Sequence, residues 1–361
     1  MAKTGLALDL GTTNLAGFII DLDKPKDHFN ASFPCSLYRH GKDVITRLTF
    51  ASNKKNLDTL QKLLVNDINN LIFSLCKKIK INRKRLDRIV VSANSVMLHF
   101  LLGLDVSGLK TYPFHSNIDG PVSVDASSMG IVAGAKTRLI ALPAIGAYVG
   151  GDAVAGILYT KMNKTSSLKL LIDLGTNAEI VLGNKDRMYA ASAAAGPAFK
   201  NREILLGSKM ISKVACMLRK GEVDRSGKMP SPLAPLPEGE GNSITQEDIR
   251  NLQLAKAAIR AGIEILLEKA GKKISDVRKI LIAGLFGEKI NIVDAMEIGL
   301  IPKVPKTKVR AIGNSSLGGA KMVLMDPKLL SEAENVSKNV SHVELSLEKS
   351  YQERFIGHMN F

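Results

Sequence analysis

Hydrophobic and polar positions along the chain switch between the strand period of two and the helix period of 3.6. One strand pattern occurs twice. Residues 5–20 read GLALDLGTTNLAGFII, and residues 169–182 read KLLIDLGTNAEIVL. Each is an apolar strand, then Asp-Leu-Gly-Thr, then a short polar patch and a second apolar strand. Each predicts a β-hairpin whose turn is built around Gly11 or Gly175. A copy in each half of the chain predicts two similar lobes.

The segments between the copies are equally patterned. Leu57, Leu60, Leu63, Leu64, Ile68, Leu71, Ile72 and Leu75 recur at helical spacing and predict a long helix over about 56–80. A buried strand at Arg88–Ser92 and a helix from near Ser95 follow. Residues 139–160, LIALPAIGAYVGGDAVAGILYT, predict a strand, a Gly-rich turn and a helix opening near Asp152. Residues 219–243 are rich in Pro, Gly and charge and predict an exposed connection. Thr245 with Asp248 three residues on forms a capping-box variant, which predicts a helix over Gln246–Lys269. Then come strand Lys279–Ala283, loop Gly284–Gly287, a helix from about 291, strand Val309–Ile312, and Gly313-Asn314 opening another helix. The alternation of strand and helix predicts an α/β fold. The expected division is a first lobe over 1–165 and a second over 166–329. The tail 330–361 is expected to return to the first lobe through strand Val343–Leu345 and a short final helix.

Composition narrows the partners. The chain has 361 residues, 45% hydrophobic and 23% charged, with no Trp and 5% aromatic content. Few aromatics argue against a stacking platform for single-stranded nucleic acid. The net charge of +16 is spread along the chain. It suits solvated helix faces, an acidic protein partner or a phosphorylated ligand, and no nucleic acid is expected. Its densest cluster, Lys77 to Arg85, reads as a helix end and the following loop, where cations are favoured. Cys35, Cys76 and Cys216 lie far apart with no CxxC, so this chain is expected to hold no iron–sulfur cluster of its own. Scattered free cysteines suit a reducing compartment. No signal pattern precedes strand Gly5–Leu10, and no apolar run reaches the roughly eighteen residues of a membrane span. A cytoplasmic protein, away from the membrane, is the expectation.

A tight hairpin with glycine at its turn lets backbone N–H groups approach phosphate oxygens. Thr12, Thr13 and Thr176 add hydroxyls. Asp9 and Asp173, at strand ends, suit holding a magnesium ion through water or orienting a nucleophile. A single Asp-x-Gly-Thr can be a structural turn; two in the same strand context point to paired phosphate loops.

Two such hairpins, with a third Gly-rich adenosine loop, resemble the actin, sugar kinase and heat-shock chaperone (ASKHA) superfamily. There, two ribonuclease-H-like lobes, each a mixed sheet flanked by helices, clamp ATP in a central cleft. An ordered set of further motifs is more specific. It comprises Gly41–Arg47 (GKDVITR), Asn94–His99 (NSVMLH), Gly150-Gly151-Asp152, Ala195–Phe199 (AGPAF), Ile244–Ile249 (ITQEDI), Ala255–Gly262 (AKAAIRAG), Ala283–Gly287 (AGLFG) and Gly313-Asn314. Together these resemble the reductive activators of corrinoid proteins over essentially the whole chain.

That resemblance implies an ATPase that drives reduction of an inactive Co(II) corrinoid on a methyl-transfer protein to Co(I). Such activators generally carry a cysteine-rich iron–sulfur domain. Here the electron would come from another domain or a separate ferredoxin-like protein. The resemblance places Asp9, Gly11, Thr12, Thr13 and Asn14 in the first phosphate loop, and Asp173, Gly175, Thr176 and Asn177 in the second. Lys256 and Arg260, four apart on one helix face, would reach the base or ribose. Gly284, Phe286 and Gly287 would border the adenosine, with Gly313 and Asn314 closing that pocket; Leu285 adds a side chain where related loops carry something smaller.

Gly151 and Asp152 read either as a helix start or as a γ-phosphate element, with Asp152 orienting water or binding magnesium. Glu179 shares the ambiguity, and His99 reads as a packed core residue. After Ala195–Phe199 the chain has Lys200-Asn201-Arg202 where related proteins have an acidic residue and Gly, a charge reversal that could change which partner docks there. The corrinoid protein is the expected partner, and a homodimer is compatible. A small-molecule kinase, with Asp152 or Asp173 as base, and a non-catalytic nucleotide-binding regulator remain the alternatives.

Overall fold

The computed structural model describes residues 4–23, 28–41, 43–196, 204–229, 244–287 and 289–361. In chain order the first elements are β1 (Thr4–Leu10), β2 (Asn14–Asp21), β3 (His28–Pro34), α1 (Val44–Phe50), α2 (Lys54–Lys78), β4 (Leu86–Ala93), α3 (Ser95–Leu102), β5 (Val122–Asp125), β6 (Arg138–Ala141) and α4 (Gly151–Thr160). Next come β7 (Lys169–Leu174), β8 (Ala178–Gly183), β9 (Met188–Ala193), α5 (Ile204–Lys220), α6 (Gln246–Lys269), β10 (Lys279–Ala283), the single turn α7 (Gly284–Gly287) and α8 (Ile292–Glu297). The chain closes with β11 (Val309–Gly313), α9 (Ser315–Met325), α10 (Leu329–Asn339), β12 (Val340–His342) and α11 (Tyr351–Gly357).

The duplication read from the two hairpins extends to whole sheets. The first runs β3-β2-β1-β4-β6-β5, with β1 antiparallel to β2 and parallel to β4. The second repeats the arrangement as β9-β8-β7-β10-β11, with β7 antiparallel to β8 and parallel to β10. Both are mixed sheets flanked by helices, which is the predicted fold class. Each is stabilised by its own core. Leu60, Leu64, Ile68, Leu71, Ile72 and Leu75 of α2 are completely buried, each worth on the order of 1.5–3 kcal/mol of apolar transfer. In the second sheet Ile180 and Leu182 pack with Ile259, Ile263 and Leu266 of α6. The capping box at Thr245 and Asp248 is present, and α6 spans the predicted Gln246–Lys269.

The chain divides into two compact units: Met1–Thr165 with Lys185–Met188 and Asn314–His342, and Ser166–Asn184 with Tyr189–Gly313 and Val343–Phe361. The return to the first unit therefore starts at 314, earlier than the expected 330. The cause is α9, which packs on β1, β4 and α4. A Cβ at Gly319 would lie 2.2 Å from the Ala155 carbonyl oxygen, so only glycine permits this helix approach. The final segment also departs from expectation. The predicted strand Val343–Leu345 is replaced by β12 and a 3-10 turn at Leu345–Leu347. Residues from Val343 onward belong to the second unit: the Val343 amide donates to the Ala190 carbonyl at 2.8 Å, and α11 lies along α6. Among the described residues no helix is long and apolar enough to cross a membrane.

Candidate functional site

In the first unit, β1 and β2 pair up to Leu10 with Leu15 and leave Gly11, Thr12 and Thr13 as the turn. The Gly11 amide donates to the Asn14 carbonyl at 3.1 Å, and a Cβ on Gly11 would meet that oxygen at 2.7 Å. The two threonines divide their tasks. Thr13 is exposed. Thr12 is buried, and its hydroxyl accepts from the Asn94 side chain at 3.2 Å rather than facing a ligand.

Asp9 ends β1 with its carboxylate held from α9. The Asn314 side-chain amide donates to it at 2.6 Å and the Ser316 hydroxyl at 2.7 Å. Burial raises the Asp9 pKa, and these two donors oppose the rise. The Ser316 hydroxyl is also 2.8 Å from that of Ser92, which donates to the Gly151 carbonyl at 3.2 Å. A continuous buried polar chain thus ties Asp9 to the start of α4, where Asp152 stands. Asp152 is pushed up to about 7, chiefly by burial and additionally by the Asp9 charge, against the Ala153 amide that donates to it. The helix cap is Gly150, so Asp152 lies in the first turn and is not itself the cap. Gly150 and Gly151 are pressed on the Ala93–Asn94 and Leu142 backbones, which aligns the start of α4 with the end of β4. The Asp9 charge opposes ionisation of Asp152, so the second carboxylate holds its proton to higher pH than a free one. Titrating near neutrality, it is suited to accept a proton.

In the second unit the hairpin repeats with Gly175, Thr176 and Asn177 as its turn; the Gly175 amide donates to the Asn177 carbonyl at 3.0 Å. Glu179 stands opposite Asp173 in register. The Gly284–Gly287 turn follows β10 and closes on this hairpin. A Cβ at Gly284 would lie 2.3 Å from the Leu174 oxygen and 2.8 Å from Asp173 Oδ1, and its φ is +88°. Gly284→Ala is therefore expected to weaken ATP binding at least tenfold and to lower the thermal midpoint, since strained backbone of this kind costs about 1–3 kcal/mol. Calorimetric titration and thermal unfolding check this; unchanged values in both would contradict the tight closure of this turn. Gly313 ends β11 with a φ of +69°.

Three residues sit differently from expectation. Asn314 does not simply close an adenosine pocket beside Gly313: its side chain holds Asp9 and caps α9 through the Leu317 amide. Lys256 is 2% exposed, and its ammonium donates to the His358 and Asn360 carbonyls, both at 2.6 Å. Arg260 lies between the Gly299 carbonyl at 3.5 Å and Glu264 at 3.8 Å. Lys256 is thus covered by residues 358–361, whereas Arg260 lines an open depression together with Glu264.

His99 is a core residue: Nδ1 contacts the Ser95 carbonyl, Nε2 accepts from the Asn117 amide, and burial lowers its pKa. Ala195–Phe199 and Lys200-Asn201-Arg202 lie, beyond Gly196, outside the described residues, as do the Leu285 and Phe286 side chains. A shallow, open depression on the second unit is lined by Lys209, Ser212, Lys213, Cys216 and Lys289. The spacing of Lys209 and Lys213, one helical turn apart on α5, was its only signal in the sequence.

Comparison with known proteins identifies the family. The model of the RACo middle region matches residues 4–165. That of the C-terminal domain of RACo, the ASKHA domain, matches residues 167–215 and 202–361. The corrinoid activation enzyme RamQ of Eubacterium limosum is 28% identical, over 98% of this chain and 69% of the relative. A Co(II) methylated amine-specific corrinoid protein reductase of Methanosarcina barkeri is 23% identical, over 99% of this chain and 77% of the relative. The solved structure of a reductive activator for a corrinoid, iron-sulfur protein superposes with a TM-score of 0.92 at 30% identity. It covers all of this chain, which spans 66% of that protein's length. Matched by both models along nearly its whole length, the chain belongs to the RACo family of reductive activators and carries its ASKHA domain.

Proposed function

We propose that this chain is the ATP-driven part of a reductive activator. ATP binding and hydrolysis would be coupled to a one-electron reduction of Co(II) to Co(I) in the corrinoid of a methyl-transfer protein. The electron comes from a donor carried by another domain or by a separate ferredoxin-like protein. ATP and water become ADP and phosphate, and the free energy released offsets the unfavourable electron transfer. The observation that carries this reading is the Asp9 carboxylate beside the Gly11–Asn14 turn, held by Asn314 and Ser316 and linked through Ser92 to the start of α4, where Asp152 stands, in a chain whose relatives are named as corrinoid activators and reductases.

In this reading the Gly11–Asn14 and Gly175–Asn177 backbones donate to phosphate oxygens. Asp152 orients the attacking water and takes up its proton; Asp9 and Asp173 are the expected magnesium-side carboxylates. Magnesium, when bound, neutralises developing phosphate charge. Gly284, Phe286, Gly287 and Gly313 border the adenosine. Lys256 anchors residues 358–361 through the His358 and Asn360 carbonyls.

Phosphate release measured with and without the Co(II) corrinoid protein tests the reading. Stimulation by that protein, beyond any effect of a metabolite panel, is the expected result. Stimulation by a metabolite alone would transfer the chain to the small-molecule kinases.

A further inference from the structure

We infer that Arg47 is a positioning residue that sets the first phosphate loop from behind, through the Thr12 carbonyl. The inference rests on the reading of Gly11–Asn14 as a phosphate loop. Arg47 lies on α1, whose N-cap Asp43 accepts from the Thr46 amide at 2.8 Å. Although charged, Arg47 is 1% exposed and is among the largest fully buried side chains. Its Nη1 donates to the Thr12 carbonyl at 2.7 Å and its Nε to the Gly41 carbonyl at 3.0 Å; Met97 Sδ is at 3.8 Å. Among the described residues no carboxylate lies within ion-pair distance of it. Burial holds its pKa below the ordinary guanidinium value; the Cys35 side chain, a buried thiol itself pushed up to about 11, bonds to it, and Asp43 acts through the field.

A buried guanidinium matched to neutral carbonyls is costly to desolvate, and removing it leaves the Thr12 and Gly41 carbonyls without their donor. The residue therefore holds local structure, and the structure it holds is the loop. In a trans peptide the carbonyl of Thr12 and the amide of Thr13 point to opposite sides. Drawing the carbonyl inward to Arg47 turns the Thr13 amide outward, to the side where Thr13 is exposed. The next carbonyl, that of Thr13, is fixed separately by the Cys35 amide at 2.8 Å. Donation into the Thr12 carbonyl also polarises the peptide and strengthens its N–H as a donor. In addition, a positive charge without a local counter-ion stands one peptide behind the loop, where it attracts phosphate. Arg47 touches the loop and not the ligand.

The test is the ATP affinity and steady-state kinetics of Arg47→Met and Arg47→Lys, with Leu48→Ala, a buried neighbour on the same helix, as a control for destabilisation. All are measured where thermal unfolding shows them folded. Arg47→Met is expected to weaken ATP binding by about 10–100-fold, raising KM with kcat largely kept, the size of one lost charged hydrogen bond. Arg47→Lys recovers part of the loss, because one ammonium still reaches one carbonyl. Leu48→Ala lowers the unfolding midpoint and keeps the affinity within about threefold. Undiminished ATP affinity in Arg47→Met, or an equal loss in Leu48→Ala, overturns the positioning role. A parent chain that binds no ATP overturns the phosphate-loop reading itself, and is distinguished because no variant then has a baseline to lose.

Discussion

Asp152→Asn is expected to lower the rate of ATP hydrolysis by about two to four orders of magnitude, the span that a positioned acid or base contributes. ATP affinity should change far less, since the amide keeps the shape of the carboxylate. The pH profile is the sharper readout. Asp152 is pushed up to about 7 by burial and the Asp9 charge, so hydrolysis in the parent should rise through neutrality as the carboxylate forms. In the variant that rise should vanish.

The same shift makes a stability statement of known sign. Between the ordinary aspartate value and about pH 7, the folded chain holds a proton that the unfolded chain has released. Folding stability from this group therefore falls as pH rises through that window, by at most about 4 kcal/mol. Asp152→Asn removes the loss: it should unfold at a higher temperature than the parent at pH 8, and the gap should shrink steadily as the pH is lowered toward 4. A variant that is equally active, or that is destabilised at pH 8, would contradict the carboxylate pair. Gain of stability with loss of turnover is the pattern expected where a strained site serves activity.

Lys256→Met is expected to destabilise the second unit by about 2–4 kcal/mol, since it leaves the His358 and Asn360 carbonyls without their donor. The Phe361 ring, 5.5 Å from the ammonium, loses its cation as well. Arg354 and His358 also hold α11 through Glu264 and Glu268, so the last residues should loosen and not detach completely. Limited proteolysis reads this directly: cleavage within 351–361 should become much faster in the variant. Unchanged proteolysis with reduced ATP affinity would restore Lys256 to the nucleotide.

What could be read beforehand follows from the range of each interaction. Helix α6 was legible, ends included to within a residue or so, because its start is a local signal, Thr245 with Asp248. Both hairpins were legible because alternation and a glycine turn are also local. The site's electrostatics were not. Asp9 is held by Asn314 and Ser316, more than three hundred positions away, and Asp152 owes part of its shift to Asp9. No spacing encodes such pairs. Lys256 and Arg260 lie on one face by helical periodicity, as expected, but periodicity does not say what covers that face. Arg47 was visible only as one letter of a motif; its burial and its bond to Thr12 needed the fold. The division of the tail failed for a similar reason, because Gly318 and Gly319 seat α9 against Ala155 and Tyr159, a contact the hydrophobic pattern does not display.

The most direct measurement is the absorption spectrum of the Co(II) corrinoid protein mixed with this chain and a reduced electron donor, followed over time. With ATP and magnesium the Co(II) band should give way to that of Co(I), and it should persist with ADP or with the Asp152→Asn chain. Conversion that proceeds equally without ATP, or that fails with ATP and a competent donor, would contradict the ATP-driven reductive role.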